Sequence, residues 1–176
     1  MMRAALFTFV GVVLCARSLQ SFAGPDFEDP VSASDWFAVL SVSAGLFALA
    51  FAIALFAQLI GSRAVYRISR VAAVGAGLSA LSNLLEDALQ LGFAFWFFIV
   101  GTALTMAGLI AFTVVVAVVG RGPRRLLAAV PAATMVGLLL LESGGGVLIL
   151  AGWLAAAAIV LRRSTPTAAQ IAPAAP

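Results

Sequence analysis

SRAVYRISRVAAVGAGLSALSNLLEDALQLGFAFWFFIVGTALTMAGLIAFTVVVAVVGRGPRR, residues Ser62–Arg125, holds two long apolar runs between blocks of charge. Arg63, Arg67 and Arg70 lead into the first run, Glu86 and Asp87 mark its end, and Arg121, Arg124 and Arg125 follow the second. Each run reaches the roughly 20 apolar residues that a helix needs to cross about 30 Å of hydrocarbon. The stretch therefore reads as a hairpin of two membrane-spanning helices, near 71–91 and 93–119, with basic ends together and an acidic turn opposite.

The same alternation extends outward. Further apolar runs lie near 4–22 and 36–60 on one side and near 126–141 and 147–161 on the other. The segment Gly24–Asp35 carries Asp26, Glu28, Asp29 and Asp35, the turn Glu142–Gly146 is acidic, and Arg162 and Arg163 close the last run. With these runs as spacers, all seven acids fall on one side and nine of the ten arginines on the other, Arg17 being the exception. The expected fold is all-α, a polytopic transmembrane helix bundle of six spans arranged as three hairpins over residues 1–163. The positive-inside rule, which counts Lys and Arg, places both termini and both basic loops in the cytoplasm of a cell-membrane protein. Residues 164–176, rich in Ala, Pro and Thr, are expected to form a disordered cytoplasmic tail. Met1–Ala23 also fits a secretory signal, with Ser21 and Ala23 at the small-residue positions of a cut after Ala23, which would leave five spans.

Composition sets the exclusions. Hydrophobic residues are 64% of 176 positions and charged residues 10%, too little polar surface for a water-soluble globule. The bilayer is the expected solvent and first partner. The arginines stand at the ends of apolar runs and form no basic face, so no nucleic-acid partner is expected. Cys15, alone and inside an apolar run, permits no internal disulfide and reads as an inert buried thiol. The chain lacks histidine, which rules out bis-histidine haem ligation, an H-E-x-x-H zinc site and a Ser-His dyad. No phosphate-binding glycine loop occurs, Gly144–Gly146 having no following lysine or strand context. No cofactor, metal or catalytic activity is expected.

One polar constellation interrupts the apolar spans. Ser79, Ser82, Asn83, Glu86 and Gln90 lie at offsets of 0, 3, 4, 7 and 11, one face of a regular helix, and Asp87 flanks them. At 1.5 Å per residue Glu86 stands roughly 22 Å from the basic end of its span and Arg17 roughly 20 Å from that of the first. A charge at such depth costs at least ~2.5 kcal/mol and is normally paired, hydrated or functional. Three readings stand: an ion pair of Arg17 with Glu86 or Asp87 within a packing network, carboxylates in contact with interfacial water, or a site for a proton, cation or polar ligand.

Local signals place the helix ends. Ser34 and Asp35 are expected to cap the second span, Gly61 and Gly120 to close the second and fourth, and Pro131 to kink the fifth. The fifth span, at 16 residues, would cover only about 24 Å. Trp36, Trp96 and Phe93, Phe95, Phe97 and Phe98 form an aromatic belt at the acidic boundary, with Tyr66 at the other. Ala73 with Gly77, and Gly101 with Thr105 and Gly108, have the small-residue spacing that lets helices approach closely. The leading expectation is a small, non-enzymatic multi-pass protein acting through helix contact with itself, as a homo-oligomer, or with a membrane partner. The alternatives are a transporter or oligomeric channel for a proton, cation or small amphiphile using the third span's polar face, and a lipid-binding protein.

Overall fold

The computed structural model describes residues 1–21 and 32–164; Asp26, Glu28, Asp29 and the tail from 165 lie outside the described residues. Six α-helices and no strand occur among the described residues: α1 (Met2–Gln20), α2 (Ala33–Ile60), α3 (Arg63–Asn83), α4 (Ala94–Val119), α5 (Ala129–Leu139) and α6 (Gly146–Ser164). Four segments are long and apolar enough to cross a membrane: α1, α2, α4, and α3 with its extension to Ala88.

The helix ends follow from local chemistry. Ser32, two residues ahead of the expected cap, starts α2: its hydroxyl accepts from the Asp35 N–H, and the Asp35 side chain accepts from the Ser32 N–H. Gly61 ends α2 in the left-handed conformation, as expected of glycine there. The chain then enters α3 at once, so Arg63, Arg67 and Arg70 are helical and not in a loop. Their charge marks the edge of the apolar region without breaking the helix, since arginine is a good helix former.

The expected fifth span is divided between two helix types. A 3₁₀ segment, Gly122–Ala128, which carries Arg124 and Arg125, runs directly into α5, whose 11 residues are not among the four segments long enough to cross a membrane. Pro131 falls in the first turn of α5, where its missing N–H breaks no bond within that α-helix. The expected kink is thus a change of helix type. α6 runs 19 residues, beyond the expected 147–161 at both ends.

Consecutive helices pack together, and α6 returns to α1. Polar bonds fix the antiparallel order. Arg3 Nη2 donates to Gln58 Oε1 at 3.3 Å, joining the start of α1 to the end of α2. At the opposite, acidic end the Ser18 hydroxyl donates to the Leu141 carbonyl and accepts from the Gly146 N–H at 3.1 Å, so α1 caps the start of α6. Near the basic half the centre is aromatic. Trp153 of α6 lies 5.0 Å from Phe7 of α1 and 5.8 Å from Phe56 of α2, and Phe56 lies 6.1 Å from Phe112 of α4, in tilted or edge-on geometry. All four rings are buried.

A close seam joins α3 and α4. A Cβ on Gly75 would meet the Thr105 nitrogen at 2.5 Å, one on Gly101 the Ser79 Oγ at 2.6 Å, and one on Gly108 the Ala72 nitrogen at 2.5 Å. Gly101, Thr105 and Gly108 form the packing face that their spacing indicates. Their partners are Ala72, Gly75 and Ser79, not Ala73 and Gly77; a Cβ on Gly77 would meet nothing within 4 Å. Opposite effects of one methyl group follow. Gly75→Ala is expected to cost about 1–3 kcal/mol through overpacking, whereas Gly77→Ala is expected to be neutral or to stabilise by up to about 1 kcal/mol through helix propensity. Unfolding midpoints of both variants in one mild detergent check the difference in sign.

Candidate functional site

The polar stripe of α3 runs into a change of helix type. Leu84–Ala88 continues α3 as a π-helical turn, in which each residue turns the chain by less than in an α-helix. Glu86 and Asp87 stand on that turn, so they follow Ser79, Ser82 and Asn83 with a small shift of register. Gln90 then takes a positive φ of 56° and reverses the chain, its amide donating to the Asp87 carbonyl at 3.1 Å. Equal spacing assumed a constant 100° per residue; the π turn shifts that register at Glu86 and Asp87, and the positive φ takes Gln90 out of it.

The three upper residues of the stripe bind neighbouring helices. Ser79 Oγ lies 3.3 Å from Thr102 Oγ1 of α4. The Ser82 hydroxyl donates to the Ala94 carbonyl at the start of α4. On the other flank the Asn83 amide donates to Ser43 Oγ at 3.0 Å and to the Val39 carbonyl at 3.3 Å, both on α2. Glu86 and Asp87 are half-buried and Gln90 is exposed.

Arg17 is not brought to this group. No ion pair joins it to Glu86 or Asp87 among the described residues, and its Nε is buried without a hydrogen-bond partner. The reason is lateral: α1 packs mainly on α2 and α6, α3 mainly on α2 and α4, so α2 stands between them. Matching depths carried no information about position in the membrane plane.

What does gather near Ser79 is a cavity of about 120 Å³ between α1, α2, α3, α4 and the end of α5. Leu14, Val42, Leu46, Phe98, Met106 and Leu138 give it apolar walls, and Ser79, Thr102 and Thr105 contribute hydroxyls. Leu14, Ser79 and Thr105 are buried, while Val42, Phe98, Thr102 and Leu138 are partly exposed. Thr105 Oγ1 donates to the Gly101 carbonyl at 2.8 Å, which spends its proton on its own helix. The Ser79–Thr102 contact uses one of two hydroxyl protons, so one donor and several lone pairs remain for a guest. Sequence reading named Ser79 for a candidate polar site and Thr105 for helix packing, and missed Thr102. Its only signal was a position three residues before Thr105, on the face that Gly101 and Gly108 turn to α3. No group of three or more metal-ligating side chains occurs among the described residues.

These placements separate packing from charge. The charge-swap pair Arg17→Glu with Glu86→Arg is expected to show coupling within about 0.5 kcal/mol of zero. Asn83→Ala is expected to cost about 0.6–1.7 kcal/mol, the range for hydrogen bonds between transmembrane helices. A double-mutant cycle on unfolding midpoints in detergent measures both. No protein-family model matches the chain, and neither a curated protein nor a solved structure matches it.

Proposed function

We propose that this is a non-catalytic, multi-pass integral membrane protein that holds a small apolar or amphiphilic molecule between its helices. The supporting observation is the cavity beside Ser79, Thr102 and Thr105. Its size is comparable to apolar cavities of about 150 Å³ that stay dry and accept a benzene-sized guest. Apolar walls with a few placed hydrogen-bonding groups favour an apolar body bearing one hydroxyl or carbonyl, such as an isoprenoid or lipid chain end. The lack of histidine and of any phosphate loop supports a role without catalysis. Under the positive-inside rule both termini and the arginine-rich ends of the helices lie in the cytoplasm, and the cavity occupies the half of the bundle facing away from it.

The other roles have a narrower basis. Action through helix contact with a second copy or a membrane partner drew on small-residue faces, and Gly75, Gly101 and Gly108 are engaged within the chain. Transport along the polar face of α3 would need an open path through the bundle, and the rings of Phe7, Phe56, Phe112 and Trp153 fill its centre.

Native mass spectrometry of gently extracted protein tests the proposal. Wild-type protein is expected to retain an apolar small molecule, and Val42→Phe and Met106→Phe, which fill the cavity, are expected to reduce its occupancy about tenfold, the effect of losing roughly 1.4 kcal/mol. Their unfolding midpoints are expected to stay close to wild type. No bound molecule in the wild type, or undiminished retention in both variants, would sink the idea; a homodimer without small molecule would favour helix contact instead. Reporter fusions at residues 1, 92 and 176 check the orientation, with the first and last expected on the cytoplasmic side.

A further inference from the structure

A second cavity, of about 320 Å³, lies at the α2–α3 turn and is lined by Ala57, Gln58, Gly61, Ser62, Arg63, Tyr66 and Arg67. It is at the other end of the bundle from the Ser79 cavity and does not depend on that reading. Its volume is at the lower edge of the about 300–1,000 Å³ typical of small-molecule sites. It sits at the basic end of the bundle, between the end of α2 and the start of α3, where lipid headgroups would lie if these helices span a bilayer.

The polar side chains around it point to one kind of guest. Arg63 and Arg67 are one helical turn apart on α3, and both are exposed. Neither has a carboxylate partner among the described residues, whose acids, Asp35, Glu86, Asp87 and Glu142, belong to the opposite end. Gln58 Oε1 is taken by Arg3, which leaves the Gln58 amide N–H groups as its unengaged polar end. Ser62 stands at the N-cap of α3 but makes no cap bond, so its hydroxyl and the first-turn N–H groups are unclaimed by a side chain. No acid occupies that first turn. The left-handed Gly61 has nothing within 4 Å of its Cβ position, which keeps the approach to the turn open. Arg70 is held apart, its guanidinium 5.2 Å from the centre of the Tyr66 ring.

We infer that this cavity binds a phosphate group, with Arg63 and Arg67 as its principal ligands and Gln58, Ser62 and the start of α3 as further donors. Guanidinium forks match phosphate oxygens geometrically, and a helix N-terminus adds N–H groups and a partial positive charge. The phosphate can be that of an anionic membrane lipid or a soluble phosphate.

Full-length protein in mild detergent, titrated with phosphatidylglycerol, phosphatidylcholine or inorganic phosphate and read by native mass spectrometry, tests this. Wild type is expected to favour phosphatidylglycerol over phosphatidylcholine by about tenfold, and Arg63→Gln/Arg67→Gln to abolish the preference, as loss of two charge-assisted contacts would. Arg124→Gln/Arg125→Gln removes the same charge from the neighbouring basic segment and is expected to retain it. Binding of inorganic phosphate with the same dependence on Arg63 and Arg67, and displacement of the lipid by it, would assign a soluble phosphate; lipid binding without phosphate competition would assign the headgroup. Equal loss in both double variants, or no binding of either phosphate source, overturns the inference. The single variant Arg67→Gln, expected to be intermediate, keeps the test open if the double variant fails to fold.

Discussion

Trp153 touches the rings of Phe7 and Phe56, and Phe56 touches Phe112, so one aromatic cluster joins α1, α2, α4 and α6. Each such pair contributes about 0.5–1.5 kcal/mol beyond the area it buries. In lipid the hydrophobic effect does little to hold helices together, because acyl chains are as apolar as leucine, and shape must decide which helices meet. Large rings at the centre require small residues elsewhere. Gly11 lies close against Leu150 of α6, and Gly146 against Cys15 and Ser18 of α1, so α1 and α6 meet across residues that have no side chain to move aside.

The polar residues obey the same constraint. Unsatisfied hydroxyls and amides are costly in hydrocarbon, and Ser18, Ser82 and Asn83 each bond to a backbone carbonyl of another helix or its connecting turn. They act as fasteners at the acidic end. The close α3–α4 seam runs through the middle of the bundle, the aromatic centre fills the core toward the basic end, and the cavity beside Ser79 is the space that neither closes. Its hydroxyls are inherited from the seam: Ser79 and Thr105 are packing residues whose remaining lone pairs face an opening.

Much of the fold was legible because charge and hydropathy act along the chain. The runs around 93–119 and 36–60 lie within a few residues of α4 and α2, and Gly61 closes α2 as its φ of 75° requires. Errors arose where a helix departed from α geometry or outran its apolar stretch. The arginines of 63–70 do not interrupt α3, and a 3₁₀ segment from Gly122 leads into a short α5. Neither leaves a hydropathy signature. The candidate site was less legible. Ser79, Ser82 and Asn83 stand out in the sequence as polar residues of an apolar span, but Thr102 and the leucines and phenylalanine around it resemble any other lipid-soluble position.

The sequence by itself determined an all-α membrane-type architecture, the segregation of arginines from acids, the burial of Cys15, and the small-residue face Gly101, Thr105 and Gly108. Each follows from the order of residue types against a bilayer of fixed thickness. Only the tertiary structure decided which helices are neighbours, and with that the separation of Arg17 from Glu86, the bonding of Asn83 to α2, and the convergence of five helices on one cavity. Helical periodicity fixes the face a residue occupies and its depth; it is silent on the partner opposite, which depends on the lateral fit of ridges, glycines and rings from segments far apart in the chain.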